Sequence, residues 1–156
     1  MTTVKNSTDV SYDKINLIKY MKMALDCSSY SKCLRRQVGA VILCKSGRTF
    51  KSSNYPVVNP DTCMEQGCIR NSKNIESGTM LEECRCLHSE IDLIVQCALN
   101  GESPKDSIIF CSHSPCSTCA RVLIRAQISI LVYHEMYPDK IAIEILQEAG
   151  IMTYKL

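Results

Sequence analysis

The spacing of apolar residues changes several times along the chain, and each change predicts a new element. From Ser11 to about Cys27 apolar residues recur at close to helical spacing, which predicts an amphipathic helix. Residues 38–44 are a β-branched apolar run that predicts a buried strand. Because Lys45-Ser46-Gly47 favours a turn, residues 48–55 can pair back as a second, more polar strand.

The second half of the chain alternates between helical and strand-like patterns. Helices are predicted over residues 86–99, which Asn100-Gly101 terminates, and over 115–126 and 139–150. Strands are predicted over residues 107–113, 128–135 and 151–155. This alternation predicts an α/β fold in which helices are layered around a mostly buried sheet.

Residues 56–85 show little periodicity of either kind. They contain proline, asparagine, glycine, several charges and the cysteines Cys63, Cys68 and Cys84. A structureless loop of this length is uncommon inside a compact domain, so we expect some interaction to hold it in place.

Composition narrows the class of protein. The chain has 156 residues, of which 46% are hydrophobic and 22% charged, and this is typical of one soluble globular domain. The net charge of +2 predicts neither a nucleic-acid partner nor a membrane partner. The polar start lacks an apolar signal core. Without such a signal, the odd number of cysteines, eleven, favours metal sites in a reducing cytoplasm over disulfides.

Two short motifs carry the candidate chemistry. His88-Ser89-Glu90 and Pro115-Cys116-Ser117-Thr118-Cys119 both stand at the start of a predicted helix. Helix N-termini favour thiolates, and two such termini meeting at one sheet edge would pool His88, Cys116 and Cys119 around one ion. Three protein ligands with an open position are typical of catalytic zinc, and Glu90 is free to handle protons. The pattern H-x-E…P-C-x-x-C is the signature of zinc-dependent base deaminases.

The chain resembles the deoxycytidylate (dCMP) deaminase family from about Ser31 to Ile151. The likeness rests on the metal motifs and on SKCLRRQVGAVIL, CMEQGCIR, ECRCLHSEIDLI and SHSPCSTCARVLI. The resemblance implies a single domain over residues 1–156 with a three-layer α/β/α cytidine deaminase-like fold around a five-stranded mixed sheet. It also implies zinc-dependent deamination of dCMP to dUMP, dCTP and dTTP as effectors, and homo-oligomers that include hexamers.

The family resemblance further implies site residues. We expect substrate contacts from Asn54 (sugar hydroxyl), Arg85 (phosphate), Ser114 and Tyr137. Some members hold a second zinc ion, so residues 56–85 are expected to be an insertion anchored by zinc. The four candidate ligands are Cys33, Cys63, Cys68 and Cys84.

Two departures from the family pattern keep other substrates open. Ser52-Ser53-Asn54-Tyr55 stands where members usually carry Gly-Tyr-Asn-Gly, and Asp92 replaces the asparagine that follows the metal motif. The alternatives are the same chemistry on a 5-substituted dCMP, a nucleoside or a cytosine antibiotic. A nucleic-acid base deaminase and a non-catalytic zinc module rank below these.

Overall fold

The computed structural model describes residues 14–156. Residues 11–13, where the sequence predicts the first helix to begin, lie outside the described part of the chain. Within the described part, every helix is too short or too polar to cross a membrane.

Five strands form one mixed sheet, and each of them lies within a predicted segment. Their bounds are β1 Gly39–Leu43, β2 Thr49–Ser53, β5 Ile108–His113, β6 Ile130–Glu135 and β7 Met152–Lys155. The strand order is β2-β1-β5-β6-β7. β1 pairs antiparallel with β2 and β5, whereas β6 runs parallel to both of its neighbours. This confirms the five-stranded mixed sheet.

Four longer helices cover the sheet on both faces. The helix bounds are α1 Lys14–Ser28, α4 Ser89–Leu99, α5 Ser117–Arg125 and α6 Lys140–Glu148. α1 packs on one face through Met21 and Ala24, against Val41, Phe110 and Val132 of the strands. α4, α5 and α6 pack on the opposite face, where the buried cluster contains members of all three helices. The three-layer arrangement is therefore confirmed.

A close approach of α1 to β1 depends on one glycine. A Cβ atom at Gly39 would collide with the backbone of Ala24 and Ser28 in α1. Because only glycine leaves this space free, the first helix can lie directly on the first strand. The strand residues Val41 and Ile42 are then fully buried, on opposite faces of the sheet.

The middle segment is more ordered than its sequence pattern indicates. It contains α2 Thr62–Gln66, α3 Ile69–Ser72 and a 3₁₀ turn at Leu81–Glu83. A small antiparallel pair of β3 Tyr55–Pro56 and β4 Cys86–Leu87 brings its two ends together. The helix predicted from residue 86 begins only at Ser89, because 86 and 87 are drawn into this pair.

One buried arginine closes the turn inside this segment. Arg70 is 5% exposed, and its Nη2 donates to the carbonyl oxygens of Glu76 at 2.8 Å and Thr79 at 2.5 Å. The Ile75 amide donates back to the Arg70 carbonyl at 2.9 Å. Polar contacts of this kind order a segment that has few apolar residues of its own.

Candidate active site

Two helix N-termini meet at one edge of the sheet. His88 is the residue that precedes the first turn of α4, and Cys116 occupies the same position before α5. His88 Nδ1 lies 3.3 Å from Cys119 Sγ and 3.4 Å from Cys116 Sγ. The ligand atoms of the three residues all lie within 4.8 Å of one another. The three ligands predicted from the motifs are therefore brought together, in the described structure, as one group.

The electrostatic surroundings prepare one of these sulfur atoms for a metal. A hydrogen bond from the Cys119 thiol, helped by His88, holds the pKa of Cys116 at about 4. The backbone N–H of Cys119 also donates to Cys116 Sγ at 3.5 Å. The thiolate is the form that binds metal. One imidazole and two sulfurs, all facing one point, fit zinc well.

Glu90 lies in the first turn of α4, two residues beyond His88. Its side chain is 4% exposed, and Ser89 Oγ donates to its Oε2 at 3.2 Å. Burial raises the pKa of Glu90 above its ordinary value. A general acid–base group works best when its pKa lies near the working pH, so this shift suits a carboxyl group that must both take and give a proton.

A cavity of about 260 Å³ opens beside this group. We call it the active-site cavity. His88, Glu90 and Cys116 line it, together with His113 and Ser114 from the end of β5. Many of its other lining residues are arginines and cysteines. A polar cleft with a perturbed carboxyl group at its wall is the arrangement expected of an active site.

The four expected substrate contacts all line the active-site cavity. Ser114 Oγ accepts from the Tyr137 amide at 2.8 Å, which links the two residues. Asn54 is buried, and its Nδ2 donates to the Arg36 carbonyl at 2.8 Å. Arg85 differs from the others because it is exposed at the rim, where its Nη1 donates to Gln66 Oε1 at 3.0 Å.

Asn54 also organises the chain segment that precedes β1. Its Oδ1 accepts from Ser31 Oγ at 2.6 Å and from the Val38 amide at 2.9 Å. Its backbone amide donates to the Val38 carbonyl at 3.0 Å. One side chain thus fixes both ends of residues 31–38, and its second amide hydrogen remains available to a ligand.

A buried network at Asp92 accounts for both departures from the family pattern. Asp92 Oδ2 accepts from Ser52 Oγ at 2.7 Å and from Gln96 Nε2 at 2.6 Å, while Oδ1 accepts from Tyr55 Oη at 3.1 Å. The carboxylate therefore pairs with the changed residues of β2 and β3 and does not line the cavity. These contacts tie α4 to the strands on either side of Asn54.

The cysteines of the middle segment line the same cavity, and Cys84 lies beside the metal-ligand group, where it interacts with His88. Cys33, Cys63, Cys68 and Cys84 all border it, and Cys86, which the sequence motifs did not single out, lies among them. The Cys86 thiol lowers the pKa of Cys33 to about 6 and that of Cys84 to about 4, and it also lies close to Cys63. The four expected ligands are neighbours, but they are not drawn together as closely as His88 and its partners.

The sequence motifs did not point to the residue that holds the start of α5. Asp139 Oδ2 accepts from the Ser117 amide at 2.7 Å and so holds the loop that carries Cys116. A lone aspartate after β6 carries no distinctive pattern. Its role becomes visible only when the turn after β6 reaches the start of α5.

The fold and the three-ligand site with its neighbouring carboxyl group are those of the cytidine deaminase-like proteins. A profile of the family described as "Cytidine and deoxycytidylate deaminase zinc-binding region" matches residues 14–135. The chain belongs to this family, as the sequence motifs predicted.

Named relatives and a solved structure are similar to most of the chain. The deoxycytidylate deaminase of Schizosaccharomyces pombe is 29% identical over 133 residues, which is 85% of this chain and 41% of that protein. The deoxycytidylate deaminase of Enterobacteria phage T4 is 28% identical over 87% of each chain. A dCMP deaminase from cyanophage S-TIM5, solved with dCMP and dUMP, has a TM-score of 0.71 and 27% identity over 94% of this chain and 100% of that one. The chain spans about two fifths of the length of the two yeast relatives.

Proposed function

We propose that the chain catalyses zinc-dependent hydrolytic deamination of dCMP to dUMP with release of ammonia. The observation that carries the proposal is the position of Glu90, buried in the cavity wall beside the three converging ligands His88, Cys116 and Cys119. The named deaminases of yeast and phage T4, and the S-TIM5 enzyme in complex with dCMP and dUMP, support this choice of substrate.

The residues of the chain have distinct parts in this reaction. Zinc, when bound, supplies a Lewis acid that lowers the pKa of a water molecule. Glu90 takes one proton from the attacking water and delivers it to N3 of cytosine. It then takes the second proton from the hydroxyl group formed at C4 and passes it to the amine, which leaves as ammonia. Asn54 holds the sugar hydroxyl, and Arg85 approaches the phosphate from the rim. Ser114 and Tyr137, linked by their hydrogen bond, close the side of the cavity next to the base.

A substrate panel tests the proposal. Zinc-loaded protein is assayed for ammonia release from dCMP, CMP, deoxycytidine, a 5-substituted dCMP and a cytosine-containing oligonucleotide. We expect the highest kcat/KM for dCMP. A higher kcat/KM for the 5-substituted nucleotide or for deoxycytidine would mean that this compound is the substrate, and the deamination chemistry would stay the same. No ammonia from any compound would contradict an enzymatic role.

We further propose that residues 1–156 form one deaminase domain in which 56–85 is an insertion anchored by a second zinc ion. Cys33, Cys63, Cys68 and Cys84 are the proposed ligands, and the fact that all four line the same cavity supports the idea. Cys86 is a fifth thiol within reach of three of them. Elemental analysis should give two zinc ions per chain. Cys84→Ser should reduce the zinc content to one ion per chain. Cys86→Ser should leave it at two, because Cys86 is not among the proposed ligands.

We also propose a cytoplasmic homo-oligomer, with a hexamer as the expected size, and dCTP and dTTP as effectors. All eleven cysteines are free thiols, which suits a reducing compartment. Tyr30, Val58 and Met64 are exposed apolar residues that a partner copy could cover. Sedimentation of the purified protein should show a mass several times that of one chain, and dCTP or dTTP should change the dependence of rate on dCMP.

A further inference from the structure

One residue that lines the active-site cavity takes no part in the proton transfers of the proposed reaction. His113 is the last residue of β5, and it lines the cavity together with Glu90, Cys116 and Tyr137. Its side chain is 17% exposed, so most of it is enclosed by protein. It stands three residues before Cys116 in the chain. His113 therefore shapes the cavity on the side of the loop that joins β5 to α5.

Both ring nitrogens of His113 already face groups of the protein. Nδ1 lies 3.1 Å from Ser112 Oγ, and Nε2 lies 3.3 Å from Glu135 Oε2. Ser112 Oγ accepts from the Gly39 amide at 3.0 Å, so its own hydroxyl proton is free to be donated to Nδ1. The proton of a neutral ring then stands on Nε2, where it faces the Glu135 carboxylate.

The surroundings of His113 favour this neutral ring. Burial and the positive charge of Arg36 lower the pKa of His113, so the imidazole is uncharged at neutral pH. A neutral imidazole with both nitrogens engaged has neither an N–H group nor a lone pair left for a substrate. It can still offer its ring carbons, held in one orientation. His113 thus acts on a ligand through shape rather than through proton transfer.

The proposed reaction determines which edge of the base lies toward His113. C4 of cytosine faces the group of His88, Cys116 and Cys119, and N3 faces Glu90, which exchanges protons with it. C4 has two ring neighbours, N3 and C5, and they lie on opposite sides of it. Since N3 is directed at the first turn of α4, C5 is directed away from that turn and toward residues 113–116.

We propose that His113 is a specificity-determining residue that lies against C5 of the cytosine ring and leaves room there for hydrogen but not for a larger substituent. The proposal rests on the proposed function and deepens it, because it distinguishes dCMP from the 5-substituted dCMP that the sequence left open. The ring cannot turn aside without losing its contacts with Ser112 and Glu135. A substituent at C5 therefore meets a surface that does not yield.

A comparison of dCMP with 5-methyl-dCMP tests the proposal in the zinc-loaded protein. On the unaltered protein, kcat/KM for dCMP should exceed that for 5-methyl-dCMP at least about tenfold. His113→Ala removes the ring, so it should raise kcat/KM for 5-methyl-dCMP and bring the two substrates within about threefold of each other. His134→Ala is the matched control, because His134 is exposed on β6 and does not line the cavity. It should leave the ratio of the two kcat/KM values unchanged.

Two more variants separate the space that the ring fills from the contacts of its nitrogens. His113→Phe keeps a ring without nitrogens and should maintain or increase the preference for dCMP, and it tests the proposal even if His113→Ala does not fold. Glu135→Gln keeps a side-chain oxygen that can accept from Nε2, so it should also maintain the preference. Zinc content and Tm are measured for every variant. Damage to the fold alone would lower kcat/KM for both substrates alike.

Three outcomes overturn the proposal. A ratio of about one or below on the unaltered protein would mean that the cavity does not exclude a substituent at C5. An unchanged ratio in His113→Ala would mean that His113 only supports the fold. Loss of the preference in His113→Phe would mean that the nitrogens, and not the filled space, determine specificity. A different result, no ammonia from any cytosine compound, would contradict the proposed function itself.

Discussion

Replacing Glu90 by glutamine removes one proton-carrying group and little else. Glutamine has the same shape, and its side-chain oxygen can still accept the hydrogen bond that Ser89 donates at 3.2 Å. Burial raises the pKa of Glu90, so the ionised carboxylate costs folding free energy at every pH above the ordinary pKa of a glutamate. A neutral amide removes that cost. We therefore expect Glu90→Gln to have a Tm equal to or above that of the unaltered protein.

The effect on turnover should be much larger. General acid–base groups typically contribute about 10²–10⁴ in rate. At ~1.36 kcal/mol for each factor of ten, this corresponds to about 2.7–5.4 kcal/mol of transition-state stabilisation. Since no other carboxylate lines the cavity, we expect no described group to replace Glu90. The loss in kcat should therefore lie at or beyond the upper end of this range.

The assay is ammonia release from saturating dCMP, with zinc content and thermal unfolding measured on the same preparations. Glu148→Gln is the matched control, because it removes an exposed carboxylate from α6 by the same chemical change. Turnover within about threefold of the unaltered protein would refute the reasoning, and so would a loss of zinc, which would make Glu90 a metal ligand.

Three further predictions concern stability and the metal. Gly78 and Gly47 have similar backbone angles, φ +86° and +89°, but a Cβ at Gly78 would lie 2.7 Å from the Pro138 carbonyl oxygen whereas Gly47 faces open space. Gly47→Ala should lower the free energy of unfolding in urea by about 1–2 kcal/mol, and Gly78→Ala should lower it by about 1–3 kcal/mol more. Equal losses for the two variants would show that the Cβ at residue 78 does not collide with Pro138. Asp92→Ala should lower the free energy of unfolding by about 1.5–3 kcal/mol. Asp106→Ala, which removes an exposed ion pair, should lower it by at most about 1 kcal/mol. Similar losses for the two variants would show that the buried network contributes little to stability. Removal of the metal by a chelator should abolish ammonia release, and added Zn²⁺ should restore it. Activity that persists in metal-free protein would show that the reaction does not require the metal.

The group of His88, Cys116 and Cys119 could be predicted from the sequence because the spacing within each motif is local. His88 and Glu90 are separated by one residue, and Cys116 and Cys119 by two, so each pair is set by a single helix start. The parallel pairing that follows β5 then needs a crossover helix, which is α5. Residues so close together on one helix start keep nearly the same relative position whatever the rest of the fold does.

The remaining contacts depend on pairs of residues far apart in the chain. Asp92 meets Ser52 across forty positions, and neither residue belongs to a periodic motif. Arg35 and Arg85 look equivalent in the sequence, since each is an arginine close to a cysteine. Only burial distinguishes them, because Arg85 reaches solvent while Arg35 points a nitrogen atom into the protein. The direction of these side chains is set by tertiary packing, which the local sequence pattern does not predict.

The contacts of Arg70 determine how the turn in the middle segment can open locally. Two carbonyl oxygens, those of Glu76 and Thr79, share one guanidinium nitrogen. When that side chain leaves, both acceptors are released at once, so residues 70–79 should open as one cooperative unit rather than fray residue by residue. The amide of Ile75, which bonds to the Arg70 carbonyl, then reports the same event by hydrogen exchange. The middle segment thus has an opening equilibrium of its own, separate from the unfolding of the sheet.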